Sequence, residues 1–241
     1  MRQIRLYTDQ ALQPGQALNL ASGPAHHLVK VLRARAGDKV TLFDGSGMDY
    51  PCTILTIDRN RVSLSVGKGA PGTQGSPLNC HLGLCLSKGD RFDWAVQKAT
   101  ELGVQAITPL FSERVEVKLP QERVPNRLRH WGQIVASACE QSGRSLLPKI
   151  HEPLQLNVWV ARQAADFKAV LHHHEAGGLP DRRPDSIALL VGPEGGLGPE
   201  DMKSAKSAGF QNLNLGPRVL RTETAPLVAL SVLGAKWGDI L

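Results

Sequence analysis

Apolar residues are distributed differently in the two parts of the chain. Up to about residue 66 the apolar runs are short. Ile4–Leu6, Ala17–Leu20 and Lys39–Phe43 read as brief strands, and Thr53–Ile57 and Arg61–Val66 alternate apolar with polar residues as half-buried strands do. Ala25–Arg33 interrupts the series, because Leu28, Val31 and Leu32 fall at helical spacing and predict a short docked helix. Asp44-Gly45-Ser46-Gly47 is a turn signal, and Asp58-Arg59-Asn60 connects the last two strands as a hairpin. Short strands at this spacing predict a small β-barrel.

Beyond residue 82 strands and helices alternate. Leu82–Leu86 is an apolar strand, and the helix after it is capped by Asp90 or Asp93, buries Phe92, Val96, Ala99 and Leu102, and stops at Gly103. Val104–Leu110 returns as a strand. Asn126–Gly143 is a helix with Leu128, Trp131, Val135 and Ala138 inward. Phe167–Leu171 and the uninterrupted Ile187–Val191 are further strands, the latter apolar enough to be buried on both faces. Pro199 opens a helix with Glu200 and Asp201 in its first turn and Gly209 past its end. A strand near Asn212–Leu215 leads to a last helix, Ala225–Trp237, capped by Thr224, with Leu227, Leu230 and Leu233 inward. The alternation predicts a mostly parallel α/β sheet. Gly67–Pro77, rich in Gly, Pro and Ser, reads as a linker, which divides the chain into a barrel at 1–73 and an α/β domain at 74–241.

Composition narrows the class of protein. With 41% hydrophobic and 21% charged residues the chain reads as an ordinary folded protein, neither disordered nor fibrous. No apolar run approaches the ~18 residues that cross a bilayer, and MRQIRLYTDQ lacks the apolar core of a signal peptide. Cys52, Cys80, Cys85 and Cys139 form no C-x-x-C pair and read as buried thiols, which suits a cytoplasmic location without a membrane partner. The net charge of +6 is spread unevenly: residues 1–73 hold a net +4 and the longer remainder only +2. The dense positive charge of the smaller part points to a polyanionic partner, nucleic acid foremost. Lys30, Arg33 and Arg35 cluster there as candidate phosphate contacts.

Two glycine loops follow strands of the second part. Gly192-Pro193-Glu194-Gly195-Gly196 comes after Ile187–Val191, and Gly216-Pro217-Arg218-Val219-Leu220-Arg221-Thr222-Glu223-Thr224 comes after Asn212–Leu215. Loops at the carboxyl ends of strands are where open α/β sheets bind ligands, and glycines let main-chain groups approach them closely. A phosphate-cradling loop needs a following Lys and Ser/Thr. Here Leu197 and Gly198 follow, and Glu194 places a carboxylate in the loop, so a neutral or cationic ligand fits better. Glu140-Gln141-Ser142-Gly143-Arg144 ends the long helix in a polar run, with Arg144 a candidate phosphate or base contact. His172-His173-His174 is not read as a metal centre, because neighbouring strand-end side chains alternate in direction and only Glu175 is at ligand spacing.

Four ordered stretches, DRFDWAVQKATELGV, ACEQSGR, GPEGG and LGPRVLRTETA, together resemble the RsmE family of SPOUT-class methyltransferases. The resemblance covers essentially the whole chain. It implies a PUA-like RNA-binding barrel, a SPOUT domain with a trefoil knot, homodimerisation, and S-adenosylmethionine as methyl donor. The substrate it implies is N3 of a uridine in 16S ribosomal RNA, free or in the assembled 30S particle. Carried onto this chain, it implies a cofactor site formed by Leu171, Leu190, Gly192, Glu194, Gly195, Gly196, Leu215, Gly216, Leu220, Thr222 and Ala225. Arg221 then suits stabilisation of charge developing on a uracil carbonyl, and Glu223 suits the base or the orientation of Arg221. Lys98 and Glu101 are either substrate- or domain-docking residues or a simple surface ion pair. Rival readings are a non-enzymatic RNA-binding assembly factor and an adenine-nucleotide enzyme using the same loops.

Overall fold

The computed structural model describes residues 4–59, 61–73, 75–172 and 177–240. The chain divides into two compact units, Met1–Gly75 with Ala136–Leu147, and Ser76–Val135 with Pro148–Leu241.

In the first unit, β1 (Arg5–Tyr7), β2 (Ala17–Asn19), β3 (Lys39–Phe43), β4 (Met48–Asp58), β5 (Arg61–Val66) and β6 (Ala70–Pro71) form one sheet, ordered β1-β3-β4-β5-β2 with β6 on β4. β4 extends well beyond the predicted Thr53–Ile57, pairing with β3 along its first part and with β5 along its second. A register shift between Ile54 and Thr56 bends it, which lets one strand turn a corner of a curled sheet. Leu6, Leu28, Leu42, Ile54 and Leu64, each 0–1% exposed, form the interior of this unit. The predicted helix starts earlier, as α1 (Ser22–His26), and continues as a π-helical turn over His27–Val31. The wider turn changes the phase of the face. Leu28 and Val29 pack inward, while Val31 and Leu32, expected inside, are 61% and 38% exposed.

The expected linker is packed rather than loose. A side chain at Gly67 would meet the Pro51 carbonyl at 2.4 Å, and one at Gly72 would meet Ser145 Oγ at 2.0 Å. These glycines permit close backbone approach, which composition alone does not distinguish from flexibility. Arg5 binds the segment that carries Ser145 to the sheet: Nη1 donates to Asp49 Oδ2 at 2.5 Å and Nη2 to Ser145 Oγ at 3.0 Å, and Ser145 Oγ donates to Asp49 Oδ1 at 2.7 Å.

The second unit is built on a parallel sheet. Its strands are β7 (Asn79–Cys85), β8 (Ala106–Phe111), β9 (Lys149–Ile150), β10 (Leu154–Gln155), β11 (Phe167–Leu171), β12 (Ser186–Val191) and β13 (Gln211–Leu213), ordered β10-β8-β7-β12-β11-β13 with β9 on β8. Every pairing among them is parallel. Central β12 has five consecutive buried residues, as its apolar run predicts. The helices of this unit are α2 (Arg91–Glu101), α4 (Leu156–Ala161), α5 (Pro199–Ser207), α6 (Thr224–Trp237) and the first part of α3 (Val124–Ser142), whose residues from Ala136 on belong to the first unit. Trp159, Val160, Val170, Ala188, Leu190, Ala205 and Phe210 share one core.

Several helix ends depart from expectation. Neither Asp90 nor Asp93 caps α2 through its side chain. Asp93 instead accepts from Trp131 Nε1 at 3.0 Å and pairs with His130 at 2.5 Å. α5 is capped from a distance, with Glu113 Oε2 accepting from the Glu200 and Asp201 N–H groups at 3.0 and 3.2 Å. Thr224 is the first residue of α6 and not its cap; Glu223 holds the cap position, and the Arg221 carbonyl accepts from the Thr224 and Ala225 N–H groups. Lys98 and Glu101 pair with each other at 2.8 Å. All four cysteines are buried free thiols, and burial pushes Cys80 and Cys85 up to about 12, so they stay protonated and unreactive at neutral pH.

Candidate functional site

A parallel sheet directs the carboxyl ends of its strands, and the loops after them, to one edge. In the second unit those loops enclose a cleft of about 640 Å3. Gly192–Leu197 follows β12, Leu171 and His172 close β11, and Val219–Glu223 with Ala225 leads into α6.

The first glycine loop is a tight turn in which Gly196 N–H donates to the Pro193 carbonyl at 2.9 Å. Gly196 has φ +72°, open to glycine without strain. A side chain at Gly192 would press on Leu197 Cγ at 3.0 Å. In the second loop Gly216 has φ +106°, and its N–H donates to Asn214 Oδ1 at 2.8 Å. The two loops are joined directly: Thr222, only 8% exposed, donates its hydroxyl to the Gly192 carbonyl at 2.7 Å.

The charge in the cleft is not what the loop sequence alone suggests. Glu194, expected to lend it a free carboxylate, accepts from Lys88 N–H at 3.0 Å and Arg91 Nη1 at 2.8 Å. Partial burial pushes its carboxyl up, but main-chain hydrogen bonds and the Arg91 guanidinium outweigh this and hold it below the usual range. Its charge is therefore largely matched by Arg91. Arg114 Nη1 donates to the Gly195 carbonyl at 2.9 Å and braces the loop from the turn after β8. Arg221 lines the cleft, exposed, with no ion-pair partner among the described residues. Glu223, also lining it, has a buried Oε2 with no hydrogen-bond partner among the described residues. A buried carboxylate oxygen without a partner is costly and is commonly completed by a ligand or a reacting proton.

Of the predicted cofactor residues, Leu171, Gly192, Glu194, Gly195, Gly196, Leu220, Thr222 and Ala225 line this cleft, together with Arg221 and Glu223. Leu215 and Gly216 line an adjoining hollow of about 80 Å3 that shares Leu171, Leu220 and Ala225. Leu190 lines neither. It is fully buried in the core, paired in the sheet with Gly83 and Val170, because strand interiors are covered on both faces and only the loop beyond is open. Sequence reasoning missed Arg91 and Arg114. Both lie shortly after β7 and β8, and the rule that points to the glycine loops would have found them too.

In the first unit Lys30, Arg33 and Arg35 are exposed beside exposed Val31 and Leu32. Arg33 sits at φ +52°, ending the π-helical turn. Arg144 differs from them: it is 8% exposed, and its carbonyl accepts from Arg5 Nη2 at 3.5 Å. The residue expected to contact an RNA phosphate or base is therefore largely covered by its own unit. His173, His174 and Glu175 lie outside the described residues, among which no group of three or more His, Cys, Asp or Glu side chains is placed to hold a metal ion. No described helix is long and apolar enough to cross a membrane.

Comparison with known proteins bears on this geometry. A family model described as an RNA methyltransferase domain matches residues 74–234, and one described as an RNA methyltransferase PUA domain matches residues 25–67. Ribosomal RNA small subunit methyltransferase E of Buchnera aphidicola (subsp. Schizaphis graminum) is 34% identical over 98% of this chain and 97% of its own length. The crystal structure of ribosomal RNA small subunit methyltransferase E from Neisseria gonorrhoeae, bound to S-adenosylmethionine, matches with a TM-score of 0.92 at 37% identity, covering 100% of both chains. A putative methyltransferase from Legionella pneumophila, also solved with that cofactor, matches with a TM-score of 0.95 at 38% identity over 99% of this chain and 100% of that one. The match is to whole chains and includes the segments that build the cleft, so this chain belongs to the RNA methyltransferase family that contains the ribosomal RNA small subunit methyltransferase E proteins.

Proposed function

We propose that this protein transfers a methyl group from S-adenosylmethionine to N3 of a uridine in 16S ribosomal RNA. The observation that carries the reading is the conjunction in one cleft of two hydrogen-bonded glycine loops, an exposed Arg221 and a buried Glu223 Oε2 without a hydrogen-bond partner among the described residues. The residues present fit the methyl donor. Leu171, Val191, Leu197 and Leu220 supply apolar wall, and Gly192–Gly196 supplies accessible main-chain groups. The cleft lies within the size range of small-molecule sites. The donor was found bound in the Neisseria and Legionella relatives. When bound, S-adenosylmethionine supplies an electrophilic methyl carbon on a cationic sulfur.

The chain's own residues then have definable tasks. Uridine N3 carries a proton and becomes nucleophilic only as that proton leaves. Glu223 Oε2 is the base that accepts it, since a buried oxygen without a donor gains most from a new hydrogen bond. Arg221 faces the uracil carbonyl on which negative charge develops. The Thr222 hydroxyl holds both loops at fixed separation, so the displacement occurs between positioned partners. The target base must be single-stranded or extruded to enter. Lys30, Arg33 and Arg35 of a barrel domain at 1–73 hold RNA phosphates, and the domain at 74–241 performs the transfer. Membership of the RNA methyltransferase family supports a trefoil knot, and supporting a homodimer are Trp94 on α2 and Val232 on α6, 42% and 41% exposed on two helices that pack together. The substrate, ribosomal RNA or the assembled 30S particle, implies a cytoplasmic enzyme.

The test is incubation with small-subunit particles and labelled methyl donor, followed by mapping of the modified nucleotide. Arg221→Ala is expected to abolish transfer while cofactor affinity is kept, and Glu223→Gln to lower turnover by roughly 10²–10⁴. Wild-type turnover by Arg221→Ala would refute this mechanism. Saturable cofactor binding without transfer to any RNA would favour a non-enzymatic assembly factor.

A further inference from the structure

A second cleft in the same unit, of about 440 Å3, lies away from the glycine loops. Leu86 and Ser87, just past β7, form one side, Val117–Leu119 another, and Arg123, just before α3, with Asn126 and Arg127 in its first turn, the third. Its lining includes three cationic side chains, Lys118, Arg123 and Arg127, and no carboxylate. None of the three has an ion-pair partner among the described residues. Arg127 is laid over the indole of Trp131, with Cζ 5.3 Å from the ring centroid, which fixes the guanidinium without neutralising it. Lys118 and Arg123 are exposed and Arg127 is half-buried. Three unmatched cations around a concave, partly apolar hollow form a site for a polyanion.

This cleft is continuous along the chain with the catalytic one. A smaller hollow of about 180 Å3 is lined by Lys88, Arg91, Arg114, Glu116, Glu194 and Gly195. Four of these, Arg91, Arg114, Glu194 and Gly195, also line the catalytic cleft. The other two, Lys88 and Glu116, are the sequence neighbours of Ser87 and Val117 in the basic cleft. Two segments, 86–91 and 114–119, thus run beside all three hollows, from the glycine loops to the three cations.

We infer that the cleft formed by Lys118, Arg123 and Arg127 is an RNA subsite, holding sugar–phosphate backbone flanking the uridine whose base occupies the catalytic cleft. The inference rests on the proposed uridine methylation for the identity of its ligand. It places RNA contacts on the transferase unit itself, in addition to Lys30, Arg33 and Arg35. The pattern suits backbone and not base readout, since besides the cations it offers the Ser87 hydroxyl, which can serve a phosphate equally, and one amide, Asn126, whose Oδ1 already accepts from Arg129 at 3.1 Å.

The test uses the full chain with Lys118 and Arg123 both changed to Gln, positions exposed enough to leave folding intact. A control removes two exposed cations elsewhere, Arg162→Gln with Lys203→Gln. Affinity for protein-free small-subunit ribosomal RNA is measured across a salt series, alongside KM and kcat for methyl transfer to particles. The cleft pair is expected to weaken RNA binding roughly tenfold and reduce the slope of log K against log salt by about 1.4, near 0.7 per lost phosphate contact. KM for particles rises similarly, with kcat and cofactor affinity kept. Arg127→Lys, which keeps the charge, is expected to retain the salt slope, and Arg127→Gln to lower it. An unchanged slope in the cleft pair, or an equal loss in the control pair, overturns the inference. So does a defect seen with particles but not with protein-free RNA, which would make the cleft a protein-docking site. Absence of methyl transfer by the wild type would instead refute the proposed function, while a salt-dependent loss of RNA binding in the cleft pair would still support the subsite.

Discussion

Replacing Thr222 by valine removes one hydroxyl from a buried position and leaves the side-chain volume almost unchanged. That hydroxyl donates to the Gly192 carbonyl at 2.7 Å and is the described side-chain hydrogen bond between the two glycine loops. A neutral hydrogen bond contributes about 1 kcal/mol net, and leaving the Gly192 carbonyl without its partner costs a further ~1 kcal/mol or more. The total, about 2 kcal/mol, bounds the extent to which the open loop arrangement can gain on the closed one. Since apparent affinity scales with the fraction of protein in the competent arrangement, the dissociation constant for S-adenosylmethionine is expected to rise by up to roughly thirtyfold. Calorimetric titration of wild type, Thr222→Val and Thr222→Ser measures it, and the serine variant should recover most of the loss. Valine-variant affinity within twofold of wild type, with thermal stability unchanged, would refute the claim that this bond sets the loop separation.

Gly83 lies in the middle of β7, where a methyl group would sit 2.6 Å from the Trp159 ring. Gly83→Ala is therefore expected to cost about 2 kcal/mol by overpacking and to lower Tm by roughly 4–8 °C; an unchanged melting curve would contradict the packing account. His81 is held neutral, its pKa lowered to about 4 by burial first and by neighbouring His151 second. Its Nε2 accepts from Trp159 Nε1 at 3.4 Å, which a protonated ring could not do. Because the folded protein takes up this proton less readily than the unfolded chain, stability is complete above about pH 6.5 and falls as pH drops from there to about 4, by about 3 kcal/mol. Denaturant titrations at several pH values, with His81→Gln as the variant that removes the His81 share of the dependence, test this. Arg33→Glu is expected to weaken RNA binding about tenfold at moderate salt and leave cofactor titration unaltered; equal RNA affinity would remove the barrel patch from the interface.

Local pattern was enough to read the strands whose neighbours simply extend their own preference. Lys39–Phe43, Arg61–Val66 and Phe167–Leu171 have the bounds their apolar spacing predicts, and the five apolar residues of Ile187–Val191 are buried as expected. The two glycine loops were legible for the same reason, since a turn at a strand end is written in adjacent residues. What depends on distant partners was not legible. Glu194 reads as a free carboxylate until Arg91, far along the chain, is brought to 2.8 Å. Arg144 reads as a candidate phosphate or base contact, and its burial shows only in the fold. The glycines of Gly67–Pro77 read as flexibility, although each close contact they permit is with a residue elsewhere. The phase of the α1 face was lost to a π-helical turn that a period of 3.6 cannot anticipate. Hydrophobic spacing and glycine placement, being local, determined which segments become strands, helices and ligand loops. Tertiary structure alone decided which charges are matched, which carboxylate oxygen is left unpartnered, and that Thr222 closes on Gly192, because those facts are energies between groups that the chain brings together only on folding.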